Sequence, residues 1–117
     1  MTPEPSRHFL LTGFEPFDGN SVNPSGEVAK QLDGRVIGDA VVRSVILPVQ
    51  HEAARARVAP LLDAPELAAV VHLGLAGGRA RVSLERVAVN IDDARIPDND
   101  GDQPIDRPRP ARACRVV

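Results

Sequence analysis

The chain has 117 residues, enough for one domain that buries roughly two-thirds of its unfolded surface. Its formal net charge is −2 with acids and bases interspersed, so no basic field is available to hold a nucleic-acid backbone or an anionic membrane, and neither is expected as a partner. No apolar run approaches the roughly 20 residues of a membrane helix, Met1 to Arg7 lacks the apolar core of a signal peptide, and a single Cys forms no internal disulfide, which together predict a cytoplasmic protein.

His8 to Thr12 (HFLLT) is a short apolar run closed by Gly13, and it reads as a buried first strand. Gly13 to Asn23 is a loop rich in Gly, Pro, Asn and Asp. Asn23-Pro24 then signals a helix start, because Asn caps free backbone N–H groups and Pro suits the first helical position; the helix should run to about Leu32 and stop near Gly34. Ala40 to Leu47 (AVVRSVIL), ended by Pro48, is a second strand. Gln50 to about Leu62 is an Arg/Ala-rich helix that Pro60 must kink or shorten. Leu67 to Leu73 (LAAVVHL) is a third strand and feeds into a Gly-rich turn. With three Phe and no Trp or Tyr, the core must be built mainly from Val, Leu, Ile and Ala. The alternation predicts an α/β fold: three layers, α/β/α, around an open, mainly parallel twisted sheet, here incomplete. In such sheets ligands bind outside the carboxyl ends of the strands, where the Gly13–Asn23 and Gly74–Arg79 loops both emerge.

Beyond that turn, Ser83 to Ile91 has strand character. If it is extended, Ser83, Glu85, Val87, Val89 and Ile91 share one face, and Glu85 sits beside valines. A carboxylate taken out of water needs a partner or shifts its pKa, so Glu85 is either half of a structural ion pair or a tuned catalytic group. It is expected to be at least half-buried on the site-facing side of the sheet, close to Phe14 and Phe17. Arg79, Arg86 and Arg95 are the cations near it in sequence, with Arg86 on the opposite strand face. Two further patterns fail on spacing. Gly74-Leu75-Ala76-Gly77-Gly78-Arg79 matches neither the dinucleotide fingerprint nor the P-loop, and the acidic run around Gly101 places Ile96 where a calcium loop needs its first Asp. Asp98-Asn99-Asp100-Gly101 reads instead as turn chemistry, and neither a metal nor a cofactor is expected.

The stretch Gly74 to Asn99, through Leu84-Glu85-Arg86-Val87-Ala88-Val89-Asn90 and Asp92-Asp93-Ala94-Arg95-Ile96-Pro97-Asp98-Asn99, closely resembles the pyroglutamyl peptidase I (pyrrolidone-carboxylate peptidase) family. So do Leu11-Thr12-Gly13-Phe14-Glu15-Pro16-Phe17 and Asn23-Pro24-Ser25, in the family's order, and the likeness runs from about His8 to Asp106. It implies a cysteine-type omega peptidase acting on peptides with an amino-terminal pyroglutamate. A Cys thiolate attacks the carbonyl, a His carries the proton, and a Glu orients that His. Carried over residue by residue, the resemblance assigns Glu85 to the catalytic Glu, Phe14 and Phe17 to the pocket of the pyroglutamyl ring, and Asn23 to the lactam edge beside its capping role. It also assigns Arg95 to the oxyanion environment. Read from the residues alone, Phe14 and Phe17 are core plugs or pocket walls, and Arg95 is an oxyanion donor or a salt bridge to Asp92 or Asp93.

The family's Cys and His lie downstream of the Asp106 equivalent. Cys114 does not match the nucleophile's context, and His8, His51 and His72 all precede Glu85. The expectation is therefore a member reduced to its amino-terminal half by a frameshift or early stop. In that division residues 1–106 are part of a single α/β domain and residues 107–117 a poorly ordered, Pro/Arg-rich tail. Such a chain is expected to be inactive alone. The alternatives are a non-catalytic module that binds pyroglutamyl or lactam-like ligands, and a non-functional fragment; a homo-oligomer is left open.

Overall fold

The strand that positions everything else is β1 (Arg7–Phe14), which lies between β3 (Ala40–Leu47) and β4 (Leu67–His72) and runs parallel to both. Its apolar run is uninterrupted because both faces are covered, the signature of a central strand in a parallel sheet. Leu10, Leu11 and Thr12 are buried, and β3 supplies Val42 and Leu47 beside them. The computed structural model describes residues 4–109. The short strand β2 (Val36–Ile37) pairs antiparallel with β3, giving the sheet order β2-β3-β1-β4. The expected open, mainly parallel α/β sheet is thus the observed one. The β2–β3 hairpin was not expected, although its signal is present: Gly38-Asp39 forms a two-residue loop, and Gly38 has φ +61°, the left-handed region that Gly enters without strain.

Helix α1 (Pro24–Leu32) starts as the Asn-Pro pair predicts, with the Asn23 side chain accepting from the Ser25 backbone N–H. It buries Ser25, Gly26 and Ala29, and these small residues let it lie close on the sheet, with Ala29 against Leu11 and Val42. Each Leu or Val fully buried there contributes about 1.5–3 kcal/mol. The approach is tightest where α1 begins. A Cβ on Gly13 would stand 2.4 Å from the Ser25 carbonyl oxygen, and one on Gly26 would stand 2.5 Å from that of Phe14. After β3, α2 (His51–Val58) gives way to a 3₁₀ turn over Ala59–Asp63. Pro60 has no N–H to continue the α ladder, so the expected shortening takes this form.

After β4 the chain changes character. The expected strand over Ser83–Ile91 does not form: only Ile91 enters a strand, β5 (Ile91–Asp92). An alternating pattern becomes a strand only beside a backbone that completes its hydrogen bonds, and among the described residues none lies alongside Ser83–Val89. β5 pairs antiparallel with β6 (Arg107–Pro108), so the tail expected to be poorly ordered from Arg107 begins as a paired strand. Its apolar content is low, but its cations find partners. Arg107 is paired with Asp102 at 2.8 Å and with Asp92 at 3.8 Å, and Arg109 bonds Asp92 and Glu52. The rest of the expected tail, from Pro110 on, lies outside the described residues.

Candidate functional site

Three loops leave the carboxyl ends of β1, β3 and β4 and enclose a cavity of about 350 Å³, the location expected for a ligand in an open parallel sheet. Phe14 ends β1, Phe17 comes from the loop after it, and Val49, Gln50 and His51 follow β3. Gly74 and Leu75 follow β4, with Ala54, Ala94, Ile96 and Pro97 completing mostly apolar walls. Asn23 and Asp98 add polar atoms to the lining. Of the residues singled out in the sequence, Phe14, Phe17 and Asn23 therefore meet at one cavity, and both rings are half-buried as pocket walls would be.

Asn23 is only 2% exposed. Its Oδ1 accepts from the Ser25 N–H at 3.0 Å and from the Ser25 hydroxyl at 2.7 Å, while its Nδ2 donates to the Glu15 carbonyl at 3.0 Å. One Nδ2 hydrogen remains for a ligand, and the rest of the side chain is committed to the loop. The Ser25 Oγ in turn accepts from the Phe14 N–H at 3.0 Å.

Glu85 lies elsewhere. Its side chain is 75% exposed, it is not among the cavity-lining residues, and its partner is Arg79 at 3.0 Å. The expected burial beside valines fails because those valines are themselves outside: Val87 and Val89 face solvent with it. Arg95 is exposed and likewise absent from the cavity lining. The alternative salt bridge to Asp92 or Asp93 is not made either. Asp92 is held by Arg107 and Arg109, and Asp93 accepts from the Asp106 N–H.

Reading the sequence missed the polar side of the cavity, formed by Gln50, His51 and Asp98. The rule that pointed to the strand ends could have found the first two, since both follow the carboxyl end of β3 directly. Asp98 opens the expected turn, with the Gly101 N–H bonding its carbonyl at 3.0 Å. Its Oδ1 accepts from the Asp100 and Asp102 N–H groups, and its Oδ2 accepts from the His51 N–H at 2.8 Å. Asp98 thus caps α2 from a distance, where Gln50 provides no side-chain cap. Loss of water around the carboxylate disfavours its charge, but the three backbone donors outweigh that and hold its pKa below the usual carboxylate range. The Asp102 carboxyl is also lowered, chiefly by its hydrogen bond from Arg107. His51, Asp98 and Asp102 bring three ligand-type atoms within 4.8 Å of one another. Both carboxylates are already committed, Asp98 to backbone and Asp102 to the Arg107 guanidinium, so the group is built as a hydrogen-bonded knot rather than as a cation cage.

A second histidine interaction is structural. Thr12, fully buried, has its Oγ1 2.7 Å from the His72 Nδ1. Partial burial lowers the His72 pKa, although the residue as a whole stays exposed.

The family model described as pyroglutamyl peptidase matches residues 7–115, which carries the likeness past Asp106. The pyrrolidone-carboxylate peptidase of Klebsiella pneumoniae (strain 342) is 55% identical over 101 residues, covering 85% of this chain and 46% of the relative. That of Chromobacterium violaceum is 52% identical over 99 residues, covering 85% and 47%. Among solved structures, a mutant pyrrolidone carboxyl peptidase (E192A) from Pyrococcus furiosus superposes with a TM-score of 0.81 at 46% identity, over 86% of this chain and 49% of that one. Pyroglutamyl peptidase I from Bacillus amyloliquefaciens gives 0.79 at 39% identity, over 87% and 50%. The chain spans about half the length of the curated relatives it matches.

Proposed function

Because the chain belongs to the pyroglutamyl peptidase family, we propose that it forms the ring-binding side of a cysteine-type peptidase that removes amino-terminal pyroglutamate from peptides. The observation that carries this is the convergence of Phe14, Phe17 and Asn23 on one cavity at the strand ends. A pyroglutamyl ring is flat, apolar on its faces and polar at its edge, which suits aromatic walls with a few polar groups on one side. The commitment of Asp98 supports a neutral amino terminus further. Both of its oxygens accept backbone N–H groups, so it is not a free carboxylate waiting for an α-ammonium.

In this reading Glu85 orients the catalytic His, and Arg95 belongs to the oxyanion environment. Of the Cys, His and Glu, this sequence offers only Glu85 in a matching position. The exposure of Glu85 and its absence from the cavity lining favour a second statement about the chain as it stands: it binds the ring and does not turn over. Residues that act as one catalytic unit lose most of the rate when any one is missing.

The test is a pair of measurements on the purified chain. Calorimetry with L-pyroglutamamide should show saturable heat, while a fluorogenic pyroglutamyl amide should release no amine at an enzyme-like rate. Absence of saturable heat would overturn the ring-binding reading. Turnover that vanishes in Cys114→Ser would overturn the statement that this chain only binds.

A further inference from the structure

We infer that Ser25 is a positioning residue that sets the Phe14 wall of the cavity without touching the ligand. The inference rests on the ring-binding reading above and adds to it how the wall is held.

Ser25 is buried, at 6% exposure, and is not among the residues lining the cavity. Its hydroxyl donates to the Asn23 Oδ1 at 2.7 Å, and this direction leaves its lone pairs to accept from the Phe14 N–H at 3.0 Å. One residue on, the Asn23 Nδ2 donates to the Glu15 carbonyl at 3.0 Å, and the Glu15 N–H donates to the Leu47 carbonyl at 3.0 Å. The backbone around the Phe14 side chain is therefore pinned at three points: Phe14 N, Glu15 N and Glu15 O.

Two of those three bonds run through the Ser25–Asn23 pair at the start of α1. The pair can reach only because Gly13 and Gly26 allow strand end and helix start to close to distances that no Cβ would permit. The Ser25–Asn23 bond is buried and the bonds to Phe14 N and Glu15 O are part-buried; each is of modest net worth, but leaving its partner unpaired is costly, so removing the hydroxyl should release the loop rather than be absorbed. Phe14 is the last residue of β1, where the ladder to β3 ends opposite Leu47, and Glu15-Pro16 joins it to Phe17, so loosening this strand end displaces a wall of the cavity.

The test compares four variants of the full chain by ¹⁵N NMR, each titrated with L-pyroglutamamide. S25A is expected to weaken affinity about tenfold and S25T, which keeps the hydroxyl, to restore most of it. A29G removes a buried methyl from the same helix without touching the Phe14 bonds, and should lose stability while keeping affinity. F14A should abolish binding. Without ligand, the relaxation of the Phe14, Glu15 and Phe17 amides should show increased motion in S25A alone. If S25A does not fold, S25C, whose thiol accepts more weakly, carries the same comparison against S25T.

Equal affinity losses in S25A and A29G would reduce Ser25 to a stability residue and overturn the inference, as would unchanged amide motion in S25A. If the wild-type chain does not bind L-pyroglutamamide, or F14A binds as well as wild type, the ring-binding reading fails. The amide relaxation then still decides whether Ser25 holds the loop.

Discussion

Leu10 and Leu11 in β1 are 3% and 7% exposed, whereas Val82 and Leu84, no less apolar, are 98% and 91% exposed. The difference is not in the residues but in what stands beside them. β1 has a parallel strand on each side and α1 on one face, so its backbone groups are paired and its side chains packed. Residues 80–89 leave the sheet after β4 and meet no neighbouring strand among the described residues. Apolar alternation is an instruction to bury one face, and it is carried out only where a partner exists. Among the described residues, the sheet region and the chain beyond residue 89 are tied together at few points: Asp98 to the His51 N–H, the Asn99 N–H to the Val49 carbonyl at 2.8 Å, Gln50 to Asp100 at 2.8 Å, and Arg109 to Glu52.

The largest expected effect tests that contrast directly. Leu11→Ala should cost about 3 kcal/mol in chemical denaturation, as truncation of a packed core leucine does. Leu84→Ala should stay within about 0.5 kcal/mol, as surface substitutions do. Similar losses for the two would mean that the 80–89 segment packs in solution.

The same contrast explains which parts were legible in the sequence. β1, α1, β3, the α2 break at Pro60 and β4 were readable because each carries its own stop signal and finds its partners within residues 7–73. The Phe14–Phe17–Asn23 grouping was readable because rigid loops at strand ends converge by topology. Glu85 was misplaced because periodicity states which face is apolar but not whether anything covers it. The order of Arg107–Arg109 was missed for the opposite reason: arginines unpromising by composition are held by carboxylates outside the tail, Asp102 close by in sequence, Asp92 further off and Glu52 in α2. On the polar side of the cavity, Asp98 went unseen because its carboxylate reaches the His51 N–H, 47 positions away, which no local pattern reports.

A smaller effect should come from the tie itself. Asp98→Ala removes the distant cap of α2 and the turn at 98–102, so its denaturation midpoint should fall, by less than that of Leu11→Ala. The pH dependence has a definite sign. The carboxyl pKa of Asp98 in the folded chain lies below its ordinary 3.8, so its contribution is present above pH 3.8 and is lost as pH falls through the lower folded value. The gap between wild type and Asp98→Ala should therefore narrow on acidification below pH 3.8. A gap that widens there would show that the protonated form of Asp98 is the stabilising one.

The smallest expected effect belongs to Glu85. Its pair with Arg79 is short, at 3.0 Å, but the two side chains are 75% and 53% exposed, so water competes for both charges and each must give up rotamer freedom to hold the contact. Exposed pairs of this kind are worth at most about 1 kcal/mol and often much less. Glu85→Gln should therefore shift stability by under about 0.5 kcal/mol, and even that shift should disappear at 1 M salt, where the screening length is about 3 Å. The measurement is the denaturation midpoint of wild type and Glu85→Gln at low and high salt. A salt-independent loss of about 3 kcal/mol would be the mark of a buried charge stripped of its partner. It would mean that the segment around Glu85 closes onto the rest of the fold, and the division of the molecule into a packed sheet and an uncovered arm would fall with it.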